Sequence, residues 1–416
     1  MDRRPLAVVA YRRLWAASAV AAVGGSFSVV AVPAQLFTVT GSSAAVGAAA
    51  AVSLVALVVS ALWTGALADL RDRRGVLLAA HCGLALAYTG LWIQSLAGGR
   101  SVPVLLVLVA CQGVAYGAIM TAMGAVVPRL VPAELLPAAN SLSSLVRYAG
   151  AVLGPVLAGV LIPLTGLGTL YLLDALALLA VIRAVAKLPP LLPAGRREGS
   201  ALRQVPAGRR EGSALRQVPA GFRFLARSRL LVAVLAVDLA AMVFGMPVAL
   251  FPELAEQVYG GPAGGGPELG LLYAAYPAGV FAAGLVSGTF TRAARHGVMM
   301  AGAAAAWGVT VVALGLADGL WTALAALVLG GAVNFVLSAF RNAITQAATD
   351  DALRGRVQGS LTVVLIGGPQ LANALHGAAA SVLGARTAVC AGGVLTTVTV
   401  AAVVWAVPEL RRYRGA

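Results

Sequence analysis

The stretch AAVGAAAAVSLVALVVSALWTGALA, residues 44–68, decides the fold class, because it runs without a single charge into the basic segment DLRDRRG at 69–75. An α-helix needs about 20 apolar residues to cross roughly 30 Å of hydrocarbon. This stretch is long enough, and its charges come only after it ends. It therefore predicts a membrane-spanning helix followed by a charged turn on one side of a bilayer.

Similar apolar stretches recur along the 416 residues, which are 60% hydrophobic and only 11% charged. Soluble domains carry about a quarter charged residues, so most of this surface is expected to face lipid. Helices satisfy their own backbone hydrogen bonds and are the default spanning element. The sequence predicts an all-α membrane protein with twelve transmembrane helices, at roughly 14–38, 44–68, 76–97, 103–127, 139–163, 167–187, 229–256, 268–290, 298–317, 320–343, 357–382 and 385–407.

The net charge of +15 comes from short arginine clusters between alternate spans, so it does not indicate a partner nucleic acid. Basic loops stay on the cytoplasmic side of a membrane. This rule predicts a multi-pass protein of the bacterial cytoplasmic membrane, embedded in lipid, with both termini cytoplasmic. The predicted inner arginines are 3, 4, 12, 13, 71, 73, 74, 129, 292, 295, 354, 356, 411, 412 and 414, and the outer ones are 100 and 386.

The longest loop, 188–228, contains a perfect tandem duplication, GRREGSALRQVPA at Gly195–Ala207 and again at Gly208–Ala220. It predicts a cytoplasmic linker between two six-helix bundles, 1–187 and 229–416. Loops accept such insertions at little cost. A flexible tether and a basic segment lying on anionic lipid both remain open as interpretations of the loop.

The loop after the second span reads Gly65-Ala-Leu-Ala-Asp69-Leu-Arg71-Asp72-Arg73-Arg74-Gly75. It resembles the signature loop of the major facilitator superfamily, although many members have glycine where this chain has Asp72. The resemblance implies a conformational role for Gly65, Asp69, Arg71, Arg73, Arg74 and Gly75. A six-plus-six repeat is typical of such transporters.

The fifth span contains Gly150, Gly154, Pro155 and Gly159 in the order G-x-x-x-G-P-x-x-x-G. Glycines four apart let a neighbouring helix approach, and a proline bends the helix. The pattern is similar to the superfamily's antiporter motif, with Ala158 replacing one glycine. A generic packing face is the alternative interpretation.

Two further stretches, 128–142 and 350–357, resemble the branch of the superfamily that contains enterobactin exporters and macrolide efflux proteins. Gln112-Gly113 with Gly117 matches only part of another family motif. The arginine of that motif would fall at Val109, so the usual proton-coupling arginine is not present at this position.

Ionisable residues inside spans cost about 2.5–3.5 kcal/mol each and are functional candidates. We take Asp238, in the seventh span, as the best candidate for proton coupling, with Asp174 and Arg147 as further candidates. A structural role is the alternative for Asp174, and pairing with a carboxylate or reaching the membrane surface for Arg147. Arg341 is expected to anchor the end of the tenth span at the interface.

Four polar residues are predicted to face a substrate cavity: Gln35, Gln112, Tyr116 and Asn334. Their low density predicts a mostly apolar cavity, which suits an amphipathic cargo.

The sequence thus predicts a proton-coupled exporter of a small amphipathic molecule, such as a drug, siderophore or secondary metabolite, acting as a monomer. An importer of the same fold and a non-transporting sensor or partner subunit are the alternatives. The chain has no G-x-x-x-x-G-K-S/T loop, no H-E-x-x-H and no G-x-S-x-G, so neither ATP-driven transport nor an enzyme is expected. No cofactor and no metal are expected, because Cys82, Cys111 and Cys390 form no ligand-spaced pair.

Overall fold

A computed structural model describes residues 3–68, 72–189, 225–226, 228–290, 293–349 and 354–415. Helices account for nearly all of these residues, and no strand occurs among them. The apolar stretches form helices because no water is present in a bilayer to satisfy an open backbone. The predicted all-α class is confirmed.

The helices of the first half begin and end within a few residues of the predicted spans. The first span consists of two helices separated at Gly25 and Ser26, and the next three spans are single helices. Their bounds are α1 Val9–Gly24, α2 Phe27–Thr40, α3 Ser43–Ala68, α4 Arg73–Leu96, α5 Val102–Leu130 and α6 Leu136–Ala186.

Helix α6 contains two spans, because its 51 residues exceed twice the length that a bilayer needs. The two parts meet at Gly166, whose φ of 78° and ψ of 164° are not helical. Glycine adopts this backbone conformation readily because it has no Cβ. The predicted fifth and sixth spans are therefore joined by a single-residue break.

The second half continues with α7 Arg229–Val243, which is extended by short helical turns as far as Val258. The remaining long helices are α8 Pro267–Leu285, α9 His296–Leu316, α10 Leu320–Ala347, α11 Arg354–Leu383 and α12 Ala385–Ala406, and the short α13 Pro408–Arg412 follows. Ten helical segments of the described residues are long and apolar enough to span a membrane. The break in α6 and the 30-residue α11 bring the spans to the predicted twelve.

The described residues form two compact units. The first lies within Met1–Ser28, Val52–Gly154 and Gly166–Gln217, and the second within Val29–Ala51, Pro155–Thr165 and Val218–Ala416. These units do not follow the predicted halves, since parts of α2, α3 and α6 group with the second half. The bounds 1–187, 188–228 and 229–416 stay predictions, and the duplicated loop lies outside the described residues.

Each unit has its own apolar interior. In the first, Tyr11 and Leu14 of α1 pack with Leu77, Val126 and Val185. In the second, the buried Trp307 of α9 donates from Nε1 to the Ala241 carbonyl oxygen at 2.9 Å. These interiors hold the helices that carry the candidate functional residues in fixed register.

Candidate functional site

Asp238 forms an ion pair inside the second unit. Its Oδ1 accepts from Nη1 of Arg341 at 2.8 Å, and the side chains are 2% and 7% exposed. Ser228 caps the start of α7 by accepting from the Leu231 N–H at 3.3 Å, which fixes where Asp238 falls along the helix. The interfacial anchor predicted for Arg341 is wrong: this side chain is turned inward to the carboxylate.

The Asp238–Arg341 pair lies among apolar helices, where two separate charges would be unstable. Pairing removes the net charge of the two groups, although the attraction does not offset all of the hydration free energy that they lose on burial. Arg341 also donates to Oδ1 of its neighbour Asn342. Oδ2 of Asp238 has no hydrogen-bond partner among the described residues. One carboxylate oxygen therefore stays open to a proton or a ligand donor.

Asp174 is the second buried carboxylate and lies in the first unit. Its Oδ2 accepts from the Ser28 N–H at 2.7 Å and from the Ser28 hydroxyl. Ser28 is in the first turn of α2, so the carboxylate satisfies free backbone donors at a helix N-terminus. This geometry supports the structural alternative for Asp174. Its Oδ1 has no partner within the described part of the chain.

The predicted cavity residues take separate local partners. In the first unit, the hydroxyl groups of Tyr116 and Tyr88 lie 2.8 Å apart, and Gln112 is buried with its Nε2 unpaired among the described residues. In the second unit, Oδ1 of Asn334 accepts from the Tyr276 hydroxyl at 2.9 Å. Gln35 is also buried there. The sequence did not single out Tyr88 or Tyr276, because tyrosines in apolar helices are common packing residues.

The loop between the second and third spans is described only in part. Gly65 lies in α3, while Asp69 and Arg71 are outside the described residues. Asp72 caps α4 by accepting from the Arg74 N–H at 3.0 Å. Arg74 donates through Nη2 to the Ala186 carbonyl oxygen, the last residue of α6. This cation at a helix C-terminus ties the loop to α6. Arg73 opens α4, and among the described residues no atom outside the neighbouring backbone of α4 lies within 4 Å of a Cβ built on Gly75.

The glycines of the fifth span face two different neighbours. In the first unit, a Cβ on Gly150 would overlap the Ala22 carbonyl, and one on Gly154 would overlap Ser26. In the second unit, a Cβ on Gly159 would come within 2.7 Å of the Gly266 carbonyl oxygen, and Pro155 lies against Gly270. The expected close approach is present on both sides of Pro155, and the antiport role stays a prediction.

Arg147 is exposed in α6, about three turns after the helix begins. It donates to Oγ of Ser144 at 2.9 Å and lies 5.9 Å from the Tyr148 ring centre. Within the described chain, no carboxylate is in ion-pair distance of it. The carboxylate partner considered for Arg147 is therefore absent from this part of the chain.

Charged groups are buried in membrane-length helices, and the sequence lacks the phosphate-binding loop of an ATP-driven pump. Within the described residues, no three His, Cys, Asp or Glu side chains are grouped as a metal site. The class defined by this fold and site is a secondary membrane transporter with two units of helices.

Comparison with known proteins gives the family. A family model described as transmembrane secretion effector matches residues 3–413, and the chain belongs to this family of the major facilitator superfamily. The enterobactin exporter EntS of Citrobacter koseri is 27% identical over 407 residues, which cover 97% of this chain and 93% of that protein. The predicted superfamily, and the resemblance to its enterobactin-exporter branch, are confirmed.

Solved structures agree on the fold. A POT family transporter in complex with 5-aminolevulinic acid has a TM-score of 0.73 at 12% identity, covering 98% of this chain and 97% of that one. A bacterial homologue of the human lysosomal transporter Spinster has a TM-score of 0.70 at 14% identity, with full coverage of both chains. At such low identity, the likeness shows the major facilitator fold and nothing about cargo.

Proposed function

We propose that this transporter exports a siderophore-like amphipathic molecule across the cytoplasmic membrane in exchange for protons. The match to the secretion-effector family and the similarity to enterobactin exporters support the direction and the cargo class. The observation that carries proton coupling is the ion pair between Asp238 and Arg341, buried within membrane-spanning helices. Alternating access would expose the cargo site to one side of the membrane at a time.

The coupling follows from the charge of the pair. With Asp238 ionised, the pair is neutral and holds α7 to α10. Protonation of Asp238 removes the attraction and leaves Arg341 as an uncompensated buried cation, which is unfavourable. A conformation that hydrates Arg341, or that brings an anionic cargo to it, then has the lower free energy. A membrane potential of 100 mV adds about 2.3 kcal/mol for each proton that crosses.

The topology belongs to the same proposal. Both termini are cytoplasmic, because the arginine-rich loops then all lie inside. The chain works as a monomer with protons and a small molecule as its partners. Nucleic acid is not a partner, because the arginines lie in separate loops and not on one basic face.

Everted membrane vesicles test the proposal. Respiration acidifies the vesicle interior, and compounds are then added singly: a catecholate siderophore, a macrolide and other amphipathic molecules. We expect a partial collapse of the pH gradient with the transported compound. Asp238→Asn should abolish that response while the protein remains in the membrane.

Asp318→Asn is the matched control, because Asp318 also pairs with an arginine at 2.8 Å but its side chain is 89% exposed. It should behave as wild type. An unchanged response in Asp238→Asn contradicts the coupling role. Cargo movement in the uptake direction would favour an importer. No response to any compound, together with a co-purifying partner protein, would favour a sensor or partner subunit.

A further inference from the structure

Two neighbouring cavities, both partly open to the surface, lie in the first unit. One has a volume of about 230 Å³ and is lined from α1, α5 and α6, and the other, of about 210 Å³, also reaches α4. They share Leu14, Ser18, Ala22 and Met123, so they are adjacent compartments of one recess. We call the first of them the Arg147 cavity, after the residue at its α6 wall.

Arg147 gives this cavity a positive charge. The guanidinium has five N–H donors, and its described hydrogen bond goes to Ser144. A membrane-embedded arginine without a carboxylate partner is unfavourable unless it faces water or a ligand. None of the described residues that line the two cavities is an aspartate or a glutamate. The charge is therefore left for a ligand or for water to balance.

Trp15 adds a second donor. Its Nε1 is buried and has no hydrogen-bond partner among the described residues, although its side chain lines the Arg147 cavity. Buried indole N–H groups normally find an acceptor. By contrast, the Tyr11 hydroxyl in the same wall already donates to the Ala139 carbonyl oxygen at 2.8 Å. The groups of this wall that can only donate are thus Arg147 and Trp15, and the hydroxyls of Ser18 and Ser143 can donate as well as accept.

Apart from the hydroxyl groups of Tyr11, Ser18 and Ser143, the rest of the lining is apolar, including Leu14, Met123, Val127 and Val146. Such walls favour a flat hydrocarbon body over a sugar or an inorganic anion, because they offer few polar contacts. The two donors fix where an acidic group would lie. The complementary ligand has an aromatic body and an anionic oxygen-bearing group.

We propose that the Arg147 cavity is a cargo subsite for aromatic organic acids, in which Arg147 binds the carboxylate and Trp15 donates a hydrogen bond beside it. This inference rests on the proposed export function and names the chemical class of its cargo. It replaces the proton-coupling role that the sequence suggested for Arg147. A guanidinium suits carboxylate recognition, since it remains charged and offers paired donors.

Two probes with the same ring system isolate the charge: 2-naphthoate and 2-naphthamide. Binding is measured on the purified full-length protein in detergent, with protein-free micelles subtracted. We expect the wild type to bind the acid at least tenfold more tightly than the amide. Arg147→Gln should lose that preference, while Arg147→Lys should keep part of it.

Trp15→Phe keeps a ring and removes the N–H, so it should weaken binding of the acid several-fold. Arg183→Gln is the matched control, because it removes an exposed arginine of the same helix that does not line either cavity. Equal binding of acid and amide to the wild type, no binding of either, or an acid preference that survives in Arg147→Gln would overturn the subsite. These binding results are independent of the vesicle assay, so failure of the subsite and failure of the export function are distinguishable.

Discussion

Nη1 of Arg341 lies 2.8 Å from Oδ1 of Asp238, and the two residues are 103 positions apart in the chain. The pair joins α7 to α10 through the interior of the second unit. It has a counterpart at the same distance, between Arg386 and Asp318, in which both side chains are far more exposed. This contrast makes the effect of burial measurable within one protein.

The first prediction compares the two ion pairs. Arg341→Met should destabilise the protein by about 3–5 kcal/mol, because it leaves Asp238 buried without its cation. The double variant Arg341→Met with Asp238→Asn should recover much of that loss. Thermal unfolding of the purified protein in detergent measures both effects.

Asp318→Asn serves as the control for this cycle and should change stability by less than about 1 kcal/mol, as exposed pairs contribute little. Equal costs for the single variant Arg341→Met and for the double variant would contradict the prediction, since they would mean that the unpaired carboxylate carries no penalty.

The second prediction concerns Asp174. Asp174→Leu should destabilise the first unit by about 1–3 kcal/mol, because it leaves the buried Ser28 N–H without an acceptor. Asp174→Asn retains an acceptor oxygen and should fold nearly normally. Its transport should decline less than that of Asp238→Asn.

Thermal unfolding and vesicle transport of the same preparations separate the two roles. Complete loss of proton-driven transport in a normally folded Asp174→Asn protein would show that Asp174, and not only Asp238, carries the coupling proton.

The third prediction tests the glycine contacts of the fifth span. Gly159→Ala should destabilise the second unit by about 1–3 kcal/mol, since its Cβ would come within 2.7 Å of the Gly266 carbonyl oxygen. Gly302→Ala in α9 is the control, because no described atom outside the neighbouring backbone of its own helix lies within 4 Å of the added Cβ.

Gly302→Ala should be neutral or stabilising by up to about 1 kcal/mol, because alanine favours a helix over glycine. A Gly159→Ala protein that unfolds at the same temperature as Gly302→Ala would argue against close packing at this motif.

The fourth prediction concerns the helix cap at Asp72. Asp72→Ala should cost about 1 kcal/mol, because the Arg74 N–H loses its acceptor. Asp72→Gly should cost only a few tenths of a kcal/mol, because glycine is tolerated at this cap position. Unfolding temperatures of the two variants test this order, and a larger loss for glycine than for alanine would contradict it.

Much of the fold was predictable because the membrane imposes a simple rule on the sequence. The span at 44–68 had to be a helix of bilayer length, and the observed α3 is Ser43–Ala68. The signature loop and the span 5 glycines also identified the superfamily. The break at Gly166 was placed within a few residues, because the two apolar stretches meet there.

The candidate site was predicted only in part. Asp238 and Asp174 stood out because a carboxylate is costly in an apolar helix. Their partners did not, since Ser28 is 146 positions from Asp174 and no local pattern links them. Arg341 was misplaced because its position near a span end suggested the membrane surface, and sequence position does not tell toward which neighbour a side chain turns.

The sequence by itself determined the class, the number of spans and the candidate charges, because helix length and charge placement respond to bilayer thickness and hydration. Only the tertiary structure decided which charges are paired and which stay open. It paired Arg341 with Asp238 and placed Asp174 at the start of α2. It left Arg147 without a described carboxylate partner at a cavity that Trp15 also lines. The physical reason is that ion pairs and hydrogen bonds act over a few ångströms in space, and only the packing of distant helices brings such groups within reach.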